Sequence, residues 1–467
     1  MSDRRVFRWA TTGARVLAGT LVAAAFVVAV TTAVAVPWPT LTREPVAITA
    51  TPAPEASVLS CAGSLLALGR DAAAAGSIAA AAPSDLTAGV REGSQPPTET
   101  PLQTEVPGAA ASVFTAQPEN RTRTDVAAAG SSTVSADDLA GFAASPCRPP
   151  LTESWLVGGA TTTGSADILI ISNPGEVPAT VELTVFGTGG PVVPPGGDIV
   201  VAAGTQQALS LAGLALGQDS PVIRVTATGA PVTAVLQTSL TRTLLPGGVD
   251  QVTAIEKPEN EIVIPGVSVA RVDGPGTEAA TVLRVLAPSA DTTAHVTVTP
   301  TGVALPASEP IDLSLTAGLP LDLDLGGLEA REYAVSVQAD VPLVGAVWQT
   351  TGFGVGADFA WYTPAPQLAV PSLFATPSGP SPALTVANTT DEEAQVTVDA
   401  VDGSSSTTVV MQARQTARFS LRAQTVYSID AGGVGVRAGV SLTGADALAG
   451  YPLWSGDTAA APIIIYP

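Results

Sequence analysis

Three times between residues 155 and 467 an apolar, strand-like segment meets a short turn and then an alternating segment. The copies run from Leu169 to Val185, from Arg284 to Thr299 and from Leu384 to Asp399, and they superpose without gaps when Ala179, Ala294 and Ala394 are aligned. Their separations of 115 and 100 residues exceed a propeller blade or a solenoid rung and match a β-sandwich domain of about 100 residues. The alternation also assigns the faces. Val181, Leu183 and Val185 share one side, as do Val296 with Val298 and Val396 with Val398, while Glu182, Thr184, Thr297 and Thr397 share the other. One buried face and one wet face is the pattern of an antiparallel sheet in a sandwich.

A second shared element follows in each copy. Val222 to Thr228, Gly229-Ala230-Pro231 and Val232 to Thr238 parallel Tyr333 to Gln338, Ala339-Asp340-Val341-Pro342 and Leu343 to Thr350. The third copy is Val426 to Asp430, Ala431-Gly432-Gly433 and Val434 to Thr443. Each reads as a strand, a turn and a returning strand, hence a hairpin. The expectation is an all-β chain of tandem immunoglobulin-like sandwiches at residues 151–258, 259–366 and 367–467, jointed at Lys257-Pro258 and Pro364-Ala365-Pro366.

The N-terminus predicts export. Residues 16–36 carry no charge, and at 1.5 Å per helical residue they reach across a hydrocarbon core of roughly 30 Å. Arg4, Arg5, Arg8 and Arg15 precede this run with only Asp3 against them, which predicts a cytoplasmic tip and an exported remainder. Trp9 and Trp38 bracket the run at interfacial positions. Two readings stay open: an uncleaved signal anchor over residues 1–36, making a single-pass membrane protein, or a signal peptide cut after Ala33-Val34-Ala35, making a secreted one. Arg4-Arg5-Val6-Phe7 also resembles the start of a twin-arginine signal, although Arg8 stands where an apolar residue is wanted. Residues 37–55, rich in Pro, Thr and Ala, read as an extended spacer.

Charge sorts the partners. The formal charge is -21; the first fifteen residues hold +3, so the rest carries -24. Such a surface repels phosphate backbones, so nucleic acid is excluded, and it avoids anionic lipid heads. Membrane contact is therefore expected through residues 16–36 alone. In an exported chain two cysteines read first as a bridge, Cys61 to Cys147, for which the chain-entropy model gives about 4 to 5 kcal/mol. Val58-Leu59-Ser60-Cys61 looks like a lipoprotein box but lies too far beyond the apolar run. Residues 56–150 thus read as a disulfide-closed β-module, with a mobile loop between Arg91 and Pro107 where Pro, Thr, Ser and Glu gather.

Catalytic chemistry is scarce. His295, the single imidazole, falls on the polar face of a repeated strand with no Ser-His-Asp neighbourhood, so it reads as a surface residue. Asp322-Leu323-Asp324-Leu325-Gly326-Gly327 faintly resembles a calcium loop but alternates like an amphipathic strand. Gly352-Phe353-Gly354-Val355-Gly356 reads as a loop, because no helix or Lys follows to make a phosphate cradle. Glycoside hydrolysis would need two convergent carboxylates and aromatic subsites, and aromatics are only 4% of the chain. Trp155, Trp348, Trp361 and Trp454 are the large rings that remain, as core fillers and joint anchors or as contacts to a glycan or partner. No metal or cofactor is implied.

Cys61-Ala62-Gly63 before Leu65-Leu66-Ala67-Leu68-Gly69, Cys147 before Trp155-Leu156-Val157-Gly158-Gly159-Ala160-Thr161, and Asn173-Pro174-Gly175 before Ala179-Thr180-Val181 resemble a group of actinobacterial envelope proteins. These are large, secreted or membrane-anchored, of unknown function, and typically encoded beside a membrane glycosyltransferase. The resemblance spans about residues 56–467 and carries no catalytic residue. The expected role is a non-enzymatic envelope scaffold or interaction protein, with an envelope protein such as that glycosyltransferase as partner. The alternative is an array of carbohydrate-binding modules on cell-wall glycan. Coplanar exposed Trp rings would favour the array, and Trp rings buried at joints the scaffold.

Overall fold

The computed structural model describes residues 3–35, 48–50, 53–71, 73–74, 76–120, 122–270, 280–303, 309–456 and 463–465. Most of the 37–55 spacer and Trp38 lie outside them. By contacts the chain divides into two units, residues 1–52 with 461–467, and residues 53–460.

In the first unit one helix runs Asp3–Ala35, and its Thr11–Ala35 stretch is long and apolar enough to cross a membrane, as an anchor or a signal sequence. The hydroxyls of Thr20, Thr31 and Thr32 each donate to a carbonyl one turn back, as Thr20 does to Val16 at 2.8 Å. Polar atoms satisfied in this way do not oppose burial in hydrocarbon. Ile48–Ala50 pairs antiparallel with Ile463–Ile465.

The second unit is mostly β, as the alternation predicts. Ala179–Gly187 buries Val181, Leu183 and Val185 while Glu182 stays exposed. Thr292–Pro300 and Ala394–Ala400 repeat the pattern. The first and third repeats each form two facing sheets, the middle one forms a seven-stranded sheet that one long strand carries across both layers, and each centres on an apolar cluster that also takes in residues of its neighbours. In the first, Glu153–Val157, Val222–Thr228 and Ala179–Gly187 face Leu245–Thr253, Thr233–Arg242, Ile168–Asn173 and Thr205–Ser210.

The shared strand pairs are not hairpins. Val222–Thr228 and Thr233–Arg242 lie in opposite sheets, as do Thr425–Asp430 and Val436–Gly444. In the middle copy the two predicted strands are one, Glu332–Thr350, whose first half pairs with Thr292–Pro300 and whose second half pairs with Thr281–Leu286. Gly229-Ala230-Pro231 and its equivalents therefore carry the chain between sheets. The period-2 pattern is the same for a hairpin and for an arch, because alternation reports which face is buried and says nothing of the hydrogen-bonding partner.

The same holds for the first repeated turn, where a side chain shapes the arch. Asn173 Nδ2 donates to the carbonyls of Val177 and Val201, and its Oδ1 accepts from Gly175 N–H. Asn388, at the equivalent position, donates to Glu392 and Gln412 and accepts from Thr390 N–H. These are Asx turns supplying partners to carbonyls that leave the sheets.

Residues 57–146 form small sheets tied by the disulfide between Cys61 and Cys147, both buried beside Phe114 and Ala128. The loop expected to be mobile is partly strand. Thr98–Pro101 pairs with Ser112–Ala116, and Gln103–Thr104 adds a parallel strand to the first sandwich. Polar Thr and Glu suit such an exposed edge, since the ladder bonds are made by backbone whatever the side chains.

This N-terminal segment is wedged among the sandwiches. Leu66 N–H donates to Gln237 Oε1 at 2.8 Å, and Gln206 Nε2 donates to Ala62 O at 3.1 Å, both to the first sandwich. Ser131 Oγ donates to Ser378 O at 2.6 Å in the third. Asp358, from the second, accepts from the N–H groups of Phe142, Val249 and Leu448, which belong to the N-terminal segment and to the first and third sandwiches. All four parts meet on one carboxylate.

Candidate functional site

The joint between the first and second sandwiches holds a cleft of about 220 Å³. Its floor is one sheet face of the second sandwich. Trp348 and Trp361 are directly opposed across adjacent strands, and Val282 is opposed to Trp348, so all three side chains leave the sheet on one side. Phe359, two residues before Trp361, joins them, its ring 6.1 Å from that of Trp348. Trp361 and Phe359 also pack into the first sandwich's core, and Trp348 is half-buried at the cleft. Arg242 stacks near the rim, its guanidinium 5.9 Å from the Trp348 ring and 4.7 Å from Phe353 of the glycine-rich loop.

Arg284 locks this floor to the first sandwich. Its side chain is 5% exposed, lies 4.9 Å over the Trp361 ring, and forks onto Asp322 at 2.8 and 3.0 Å. The same guanidinium donates to the carbonyls of Gly159, Pro221 and Asp219. A buried charge is tolerable only when its donors are used, and here they are spent on one carboxylate and three carbonyls.

Asp167 forms the opposite wall. It accepts from Ala160 N–H at 2.7 Å and Ser239 N–H at 3.0 Å. Burial pushes its carboxyl up to about 7 in spite of these bonds and of Arg284. The wall can come this close because position 159 is Gly, at φ +72°; a Cβ there would stand 2.2 Å from Asp167 Oδ2. Asp250 accepts the N–H of Trp361 at 2.7 Å and so fixes that ring's backbone. Burial, with Asp358 nearby, holds the Asp250 carboxyl well above its ordinary range. Asp358 is likewise pushed up to about 7 by burial.

The four tryptophans are divided. Trp155 is 3% exposed in the first core and Trp361 6% exposed at the joint, whereas Trp348 and Trp454 are half-buried. Trp454 lies under the guanidinium of Arg148, 3.4 Å from its centroid, beside the Cys61–Cys147 bridge. Trp348 and Trp361 alone come together. His295 is exposed and pairs with Asp312 at 2.7 Å, and Asp322 sits on the strand Leu321–Asp324. Among the described residues no group of three His, Cys, Asp or Glu side chains could hold a metal ion. Asp167, Arg284, Asp250 and Asp358 were not singled out by the sequence. The one sign they left is a lone charge inside an apolar stretch, as in Ala166-Asp167-Ile168.

A family of unknown function, DUF5719, matches residues 103–434, more than two-thirds of the chain. The chain belongs to this family. The match begins at the strand that joins the first sandwich and covers the whole cleft. No curated protein and no solved structure matches the chain.

Proposed function

We propose that this DUF5719 member is a non-enzymatic scaffold of the cell envelope, anchored by its N-terminal helix with residues 53–460 outside the membrane. The observation that carries this reading is the Asp358 junction. Four parts of the chain share one buried carboxylate, an arrangement suited to holding a large surface in one shape. The buried acids support it too, because their oxygens take backbone N–H groups across joints, a positioning job. The actinobacterial setting and the neighbouring membrane glycosyltransferase implied by the resemblance make that enzyme the proposed partner. Cross-linking in native membranes followed by capture of this chain tests it. Recovery of a glycosyltransferase, with altered envelope glycans on deletion, is the expected result; neither one appearing sinks the partnership.

An array of flat sugar-binding platforms draws less support. Trp155 and Trp361 are buried and Trp454 is covered by Arg148, so the rings do not repeat as exposed platforms from one sandwich to the next.

A further inference from the structure

We propose that the cleft between the first and second sandwiches binds a single neutral sugar ring of a glycan. This goes beyond scaffolding and does not depend on the glycosyltransferase partnership.

The cleft joins the two chemistries that a sugar site uses. Its floor is aromatic, with Trp348 half-buried beside Trp361 and Phe359. Its polar lining includes Ser165, Thr238 and Asp219. A pyranose has the matching shape: an apolar C–H face to lie on a ring, and a rim of hydroxyls that donate and accept.

Two of the polar groups are uncommitted. Thr238 is 2% exposed and its hydroxyl has no hydrogen-bond partner. A buried hydroxyl left unpaired is unfavourable, so a ligand group that reached it would be favoured. Asp219 is exposed, and among the described residues only its carbonyl is engaged, by Arg284. Its carboxylate is free to accept from ligand hydroxyls.

Size and charge narrow the ligand. A volume of 220 Å³ is on the scale of a single sugar ring. Of the charged groups at the cleft, Asp219 and Asp322 are acids, Arg284 is consumed by Asp322 and three carbonyls, and Arg242 at the rim is held against the Trp348 and Phe353 rings. The chain beyond residue 15 carries -24. Uronic acids and phosphorylated sugars would be repelled.

The test titrates the full-length protein, in a detergent without a sugar headgroup, with neutral methyl glycosides and short neutral oligosaccharides. A uronic-acid disaccharide serves as the charged control. Calorimetry and tryptophan emission give the two readouts. At least one neutral glycoside should saturate at up to millimolar concentration and shift the emission, and the uronic acid should not. Trp348→Ala should weaken binding tenfold or more and Asp219→Ala threefold or more, while Trp155→Phe leaves it unchanged. Asp219 is exposed, so its variant still decides the matter if Trp348→Ala fails to fold. The proposal is overturned if no neutral sugar binds, if the uronic acid binds equally well, or if Asp219→Ala binds as the parent does.

Discussion

The backbone N–H of Phe142 donates to the carboxylate of Asp358 at 3.0 Å, across 216 residues of sequence. Val249 and Leu448 donate to the same group. Asp358→Ala would leave three buried N–H groups without their acceptor. Each costs about 1 to 3 kcal/mol, so unfolding stability should fall by about 3 kcal/mol or more, measured by denaturant titration. A loss below about 1 kcal/mol would show that the junction contributes little.

Arg284 should be nearly as sensitive. Lys cannot fork onto Asp322 while also reaching the carbonyls of Gly159, Pro221 and Asp219. Arg284→Lys is expected to cost about 2 to 4 kcal/mol in the same titration, and Arg414→Lys, at an exposed pair with Asp391, almost nothing.

Stability should decline from mildly acidic to mildly alkaline pH. Asp167 and Asp358 are raised from 3.8 to about 7, and Asp250 is raised as well. With a folded pKa above the unfolded one, Asp167 and Asp358 each contribute stability that is complete below about pH 4 and is lost as pH climbs through about 7, and Asp250 contributes in the same direction. Asp138, lowered by Arg70, works the other way: its contribution is present above the unfolded value and is lost as pH falls through the lowered one. The expected melting temperature is therefore higher at pH 5 than at pH 8. Equal values, or the reverse order, would count against neutral buried acids.

Reduction of the Cys61–Cys147 bridge frees a loop spanning a sequence separation of 86. The expected loss is about 2 to 5 kcal/mol, read as a lower melting temperature in reductant and reproduced by Cys61→Ser with Cys147→Ser.

How much of this was legible beforehand varied with the kind of contact. Val181, Leu183 and Val185 announced their face, because burial within a sheet follows a period of two. The course of the strands was hidden: Gly229-Ala230-Pro231 looks the same whether the chain turns back or crosses to the facing sheet. The cleft was hidden for another reason. Trp348 and Trp361 stand out in the sequence as large rings, but their meeting depends on pairing between Glu332–Thr350 and Phe359–Tyr362, which neither segment states alone. Arg284 stands in an apolar strand on a face that meets water in an isolated sandwich. It is buried here because the first sandwich covers that face, and tertiary cover of this sort leaves no local pattern.

That mutual cover is the centre of the account, and calorimetric unfolding of the detergent-solubilised chain tests it most directly. One cooperative transition for residues 53–460 is expected, with calorimetric and van't Hoff enthalpies in agreement and tryptophan emission changing at the same temperature. Separate transitions for individual sandwiches, unaffected by Asp358→Ala, would contradict it.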